Sequence, residues 1–166
     1  MPAFLAPPAL AGRVFPDDYP PVHVRGIALL ARPQDVSAAR RFARDYCLWR
    51  GISDTVRDDL VLCISEVVGN VRHALFLPGR PHIFVTLRQY GPFVSAAVFD
   101  PDSSESCLAL IHAELAGQGP VGLAESGRGL SEIVARLSCR LDVRRSAHGL
   151  KRVEFFIDCL PSGVHR

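Results

Sequence analysis

Hydrophobic positions along this chain recur with two different periods, and the switches between them divide it into elements. From His82 to Arg88 they alternate, with Ile83, Val85 and Leu87 on one side, which is the period of a strand with one buried and one more polar face. Val94 to Asp100 follows after Tyr90-Gly91-Pro92, so the two strands form a β-hairpin. Alternation returns near the C-terminus, where Arg140 to Arg145 and Lys151 to Cys159 flank Ala147-His148-Gly149. There Val153, Phe155, Ile157 and Cys159 are set against Arg152, Glu154 and Asp158. Val24 to Ala31 reads as a further strand. Elsewhere the spacing is helical. Ala39, Phe42, Ala43, Tyr46 and Cys47 share one side of a helix expected over Val36 to Arg50, with Asp35 as its cap and Gly51 as its end. Ser53-Asp54-Thr55 opens a second helix, Thr55 to Ala74, which is stopped by Pro78-Gly79. The expected fold is α+β: a two-layer sandwich with helices on one face of a mostly antiparallel mixed sheet.

The second helix carries the first chemical signal. Glu66, Asn70 and His73 stand at i, i+4 and i+7; at about 100° per residue they share one stripe, while Leu60, Ile64, Val67 and Val71 point away from it. Polar groups on a helix this apolar face either water or a ligand. If buried without partners they would cost about 1 to 3 kcal/mol each. The first helix has Arg40, Arg41 and Arg44 on a side of their own, which is a solvated face or a docking surface for an acidic partner.

Three other stretches carry candidate chemistry. Asp100 closes its strand, placed either to accept a hydrogen bond from a ligand amino group or to open the turn Asp100-Pro101-Asp102-Ser103-Ser104. Residues 103–126 are rich in Ser, Gly, Ala and Glu, the composition of a long functional loop or lid. Gly127-Arg128-Gly129-Leu130 then runs into a helical pattern at Leu130, Ile133, Val134 and Leu137. It is a flexible helix entry or an anion cradle.

Composition narrows the function classes. The chain's 166 residues suit one domain, and 48% hydrophobic with 22% charged residues is ordinary globular composition. A net charge of +2 gives no bulk electrostatic case for nucleic acid or a membrane surface. Lys151 is the single lysine, and every other cationic residue is arginine. Cys47, Cys63, Cys107, Cys139 and Cys159 form no C-x-x-C pair, which argues against structural zinc and fits reduced cytoplasmic thiols. No apolar run spans a bilayer, and the proline-broken N-terminus does not read as a signal peptide. There is no G-x-x-x-x-G-K-[ST] loop and no G-x-S-x-G elbow, so neither a Walker-type nucleotide site nor a serine hydrolase is expected.

In their order, Glu66-Val-Val-Gly-Asn70, Asp100-Pro101-Asp102 and Gly127-Arg128-Gly129-Leu130 resemble the N-box, G1 box and G2 box of the GHKL (Bergerat-fold) ATPases. The short length and the arginine-rich first helix are similar to the anti-sigma-factor serine/threonine kinases of actinobacterial type within that superfamily. The resemblance covers about residues 30 to 160. It implies an ATP-binding domain over 25–160; ahead of it, the prolines and the absence of any period give a flexible arm at 1–24, and 161–166 is a tail. It implies that Glu66 is the catalytic base and that Asn70 holds Mg²⁺ on ATP. Asp100 would receive the adenine amino group, while Gly127, Arg128, Gly129 and Leu130 would wrap the phosphates. The implied function is an anti-sigma-factor-like kinase, sequestering a sigma factor and phosphorylating an antagonist protein; self-association as a homodimer is left open. Two departures are visible. Pro101, Asp102, Ser103 and Ser104 follow Asp100 where the family often has glycines, and His73 lies three residues after Asn70 where relatives commonly have a histidine four after. The alternative is therefore a catalytically silent module that keeps the fold, binds protein and has weak or no ATP binding, with His73 a core or capping residue.

Overall fold

Five strands and two helices make up the described part of the chain, which in this computed structural model comprises residues 19–30, 32–74, 82–101 and 140–159, with the side chains of 70–74 excepted. In chain order they are β1 (Val22–Leu30), α1 (Pro33–Arg50), α2 (Asp54–Ala74), β2 (His82–Tyr90), β3 (Phe93–Asp100), β4 (Arg140–Arg145) and β5 (Lys151–Asp158). The strands form one sheet in the order β1-β2-β3-β5-β4, and every pairing among them is antiparallel. The expected α+β sandwich is thus the fold.

Register explains which side chains meet. Ile83, Val85 and Leu87 of β2, Val94, Ala96 and Val98 of β3, Leu141 and Val143 of β4, and Val153, Phe155 and Ile157 of β5 are all buried in one cluster. Cross-strand partners such as Val85 and Val98, or Ala96 and Phe155, show that these residues share one face. The helices lie on that face. Ala39, Ala43, Tyr46 and Cys47 of α1 and Leu60, Ile64, Val67 and Val68 of α2 complete the cluster. Full burial of an aliphatic or aromatic side chain contributes about 1.5 to 3 kcal/mol, so this one layer carries most of the stabilisation.

Boundaries shift from the sequence reading for local reasons. β1 starts at Val22, two residues early, because an irregularity in its register between Val22 and Arg25 lets the pairing to β2 extend. His23 adopts φ 51 there, and the Tyr46 hydroxyl donates to its carbonyl at 2.8 Å. α1 starts at Pro33 rather than Val36, since proline needs no N–H in a first turn. Asp35 therefore caps from inside the helix, accepting the Arg32 backbone N–H at 3.1 Å and pairing with its guanidinium. Ser53 caps α2 by accepting the Val56 N–H at 3.4 Å.

The end of α1 is as expected. Gly51 takes φ 62, and the Gly51 and Ile52 N–H groups return to Leu48 and Cys47 carbonyls at 3.2 and 2.9 Å. A Cβ at Gly51 would meet nothing within 4 Å, so Gly51→Ala isolates the left-handed backbone cost. We expect a loss of about 1 to 2 kcal/mol in urea unfolding.

Candidate functional site

Asp100 and Lys151 form a buried ion pair at one end of the sheet: one is the last residue of β3, the other the first of β5, and they stand directly opposite in the antiparallel register. The Lys151 ammonium lies 3.1 Å from Asp100 Oδ2, with the side chains 7% and 1% exposed. Both occupy register positions in step with Val98 and Val153, whose side chains belong to the core under the helices. The pair thus lies on the helix side of the sheet, at one end of two of its inner strands. α2 packs against both β3 and β5. The helix with the N-box pattern therefore lies over the strands whose ends hold the carboxylate.

On α2 the predicted division of faces holds where the side chains are described. Leu60, Ile64 and Val67 are buried, whereas Glu66 is half-buried. Asn70 and His73 belong to the same helix, and their side chains lie outside the described residues. Gly127, Arg128, Gly129 and Leu130, with the expected lid at 103–126, also lie outside them. The structure brings the Glu66 helix over the Asp100 strand; it does not place the phosphate-side residues.

Lys151 enters the site only through its pairing with Asp100 in the structure. Its signal was there, as the chain's single lysine at the start of an alternating strand, but the pairing to Asp100 depends on a β3–β5 register that local periodicity does not carry. Arg40 is also resolved differently. Its Nε donates to Ser65 Oγ at 2.7 Å, and Ser65 in turn donates to the Val61 carbonyl at 2.6 Å, so Arg40 ties α1 to α2. Arg41 and Arg44 are exposed.

The sheet's other face carries polar groups that are nevertheless covered. Glu154 and Ser95 are fully buried; Ser95 Oγ donates to Glu154 Oε1 at 2.7 Å, and Arg152 pairs with the other carboxylate oxygen. The alternation of β5 placed Glu154 opposite the core, but partners rather than water satisfy it there. Burial, with the positive charge of Arg144 and Arg88, pulls the Arg152 guanidinium below its usual value.

At the far end of α1, Trp49 is half exposed, with Arg25 4.7 Å and Arg50 5.3 Å from its ring centroid and the His23 ring edge-on at 5.8 Å. Leu48, Val22 and Val24 beside it in sequence or strand are exposed as well. Beneath them, burial pushes Tyr46 up to about 12 and Cys47 up to about 12, the latter helped by Cys159; burial also pushes Cys159 up to about 11. An unfolded chain loses these protons near the ordinary values of 9 and 10 while the folded one keeps them. The unfolded state then binds fewer protons, so stability is full below about pH 9 and falls as pH rises through 11 to 12. Alkaline titration of the urea midpoint checks this. Cys47 is also expected to resist alkylation at pH 8 until the chain unfolds.

Among the described residues no helix is long and apolar enough to cross a membrane. No protein-family model matches the chain, and no curated protein matches it. The chain is similar to the crystal structure of the RsbU and RsbW domains of Rv1364c from Mycobacterium tuberculosis, with a TM-score of 0.56 and 19% identity over 81% of this chain and 32% of that one. It therefore spans about a third of that structure's length, and the likeness is one of fold.

Proposed function

We propose that this chain is an ATP-binding regulator of the anti-sigma-factor kinase type, which sequesters a sigma factor and phosphorylates a serine or threonine of an antagonist protein. The observation that carries the reading is the buried Asp100 carboxylate at the end of β3, beneath the packed helix that bears Glu66. The similarity in fold to the structure of the RsbU and RsbW domains of Rv1364c supports the same class.

The described residues fit a nucleotide base. A carboxylate 1% exposed is shielded from competing water, and an exocyclic amine is a donor it can accept. Bound MgATP would supply the transferable phosphoryl group and its charge-neutralising cation. Asn70 is the residue that would hold the magnesium, and Gly127, Arg128, Gly129 and Leu130 would line the phosphates. Glu66, half-buried on α2, would accept the proton of the attacking serine or threonine hydroxyl, since a positioned carboxylate is a competent general base.

One observation favours the second reading, a silent protein-binding module: Asp100 is already engaged by Lys151. Two measurements separate the readings. Saturating MgATP should raise the unfolding free energy, by about 2.7 kcal/mol at 100 times the dissociation constant. Incubation with MgATP and an antagonist-class protein should yield phosphoserine or phosphothreonine by mass spectrometry. A stability gain without phosphotransfer would leave a nucleotide-responsive binding module; neither would leave the silent one.

A further inference from the structure

We infer that the N-terminal segment, residues 1–18, is the cover of the sheet's second face, held at one corner by Asp17 and Asp18 against the Arg88 guanidinium. The inference is independent of the nucleotide reading, because neither the segment nor that face belongs to the proposed site.

The face is built from the side chains that alternate with the core. In register across β2, β3, β5 and β4 stand Thr86, Ala97, Glu154 and Asp142 in one row, and Arg88, Ser95, Phe156 and Arg140 in the next. Both described helices lie on the opposite face, yet Ala97, Ser95 and Glu154 are fully buried, and Tyr90, Phe156 and Asp142 nearly so. Long side chains of the face account for part of this, since the Arg140 guanidinium lies 5.4 Å over the Phe156 ring. Arg140 is itself only 8% exposed, so a further layer lies over the arginine. The cover is uneven. Toward the β2–β3 turn Tyr90, Phe156 and Arg140 are shielded, whereas Phe84 and the Arg144 side chain, toward the other end, are 43% and 48% exposed.

The point where the chain enters favours one candidate for that layer. Tyr19, the first described residue, packs its ring on the same turn: a Cβ at Gly91 would fall 2.6 Å from Tyr19 Cδ1. The 18 residues before it reach about 60 Å if extended, while a sheet of five strands spans about 20 Å. They carry Phe4, Leu5, Leu10, Val14 and Phe15, which a proline-broken segment without a period buries only against a surface that already exists. Residues 131–139 and 160–166 also meet the sheet at this end, but neither stretch has two adjacent acidic residues.

That charge is what the corner lacks. Arg144 pairs with Asp142 and Arg152 with Glu154. Arg88 donates from a terminal nitrogen to the Tyr90 hydroxyl at 3.3 Å, while its Nε is buried without a hydrogen-bond partner; among the described residues it makes no ion pair. Its head group is thus turned toward the turn on which Tyr19 sits. Asp17 and Asp18 stand within two residues of Tyr19, about 7 Å of chain, and a carboxylate is the acceptor a buried guanidinium N–H prefers.

Two measurements on the full chain test the inference, with far-UV circular dichroism confirming that each variant folds. With benzoylphenylalanine in place of Phe15, irradiation of mixed light and isotopically heavy protein should give adducts within single chains, mapped by mass spectrometry to side chains of the second face. Trypsin cleavage after Arg13 tracks the undocked fraction. It should speed up by about two- to fivefold in Asp17→Asn with Asp18→Asn, the range of a partly exposed ion pair. Arg88→Gln should do the same, and combining all three should add nothing further. Peptides of residues 1–18 with and without the two asparagines correct for any direct effect on trypsin. Adducts between light and heavy chains overturn the inference and make a second copy the cover. Adducts on the helices, or none, overturn it as well, and so does a cleavage rate that neither alteration changes.

Discussion

Asp100→Ala is expected to lower the unfolding free energy by about 3 to 5 kcal/mol and to abolish nucleotide binding. The stability loss does not come from forfeiting a strong attraction. It comes from what is left behind: Lys151 is 7% exposed at its side chain, so without Asp100 its ammonium has lost the carboxylate that offset its desolvation, and breaking a buried pair from one side costs in this range. Two controls separate that cause from simple loss of packing. Asp100→Asn keeps the volume but removes the charge, and should recover little, because a carboxamide does not neutralise an ammonium. Asp100→Ala combined with Lys151→Met should recover most of the loss, since an apolar replacement of a buried pair is often neutral. Urea unfolding of the unaltered chain, Asp100→Ala, Lys151→Met and the double variant gives the coupling free energy directly. If the double variant is as unstable as Asp100→Ala, the damage is a cavity at the end of β3 and not the loss of a counter-charge to Lys151.

The same pair shows where reading the sequence succeeds and where it stops. Ile83, Val85 and Leu87, and again Val153, Phe155 and Ile157, announce their buried face by a period of two, and all six are in the core. Local chemistry also sufficed for the helix stop at Gly51, since only glycine takes φ 62 without a Cβ penalty. Asp100 was recognisable as a carboxylate ending a strand. Its partner was not, because Lys151 lies beyond a long stretch of chain, and nothing local says that β5 pairs with β3 in a register setting residue 151 opposite residue 100. The hydrophobic period gives the face of each strand but leaves the neighbour open.

Polar residues on faces assigned by period show the same limit. Glu154 alternates with Phe155 as a solvent-facing residue would, yet it is fully buried with Ser95 and Arg152 as partners. Ser95 sits on another strand, so satisfaction of the carboxylate is a property of the sheet and not of the segment. Arg40 read as part of a charged helix face, yet it bonds to Ser65 of the next helix. In each case the sequence carries the residue's polarity, and the partner that decides its role comes from elements distant along the chain.

Glu66→Gln should separate binding from chemistry at the proposed site. Glu66 lies on α2 in a stretch whose neighbours Ile64, Val67 and Val68 are buried, while Glu66 itself is half-buried. The backbone that carries it is thus fixed by the core, and the side chain is partly exposed. Glutamine preserves length, shape and hydrogen-bonding capacity but cannot take a proton. The fold should therefore change by no more than the few tenths of a kcal/mol typical of partly exposed positions, and MgATP should raise the unfolding midpoint as expected of the unaltered chain. Phosphotransfer to the antagonist should fall by roughly 10² to 10⁴, the contribution of a positioned general base. A fall in rate with unchanged nucleotide affinity identifies an interaction made in the transition state. Should transfer proceed unaffected in Glu66→Gln, the carboxylate is removed from the mechanism. Should the midpoint shift with MgATP vanish as well, Glu66 acts in binding, and the base must be sought on another element.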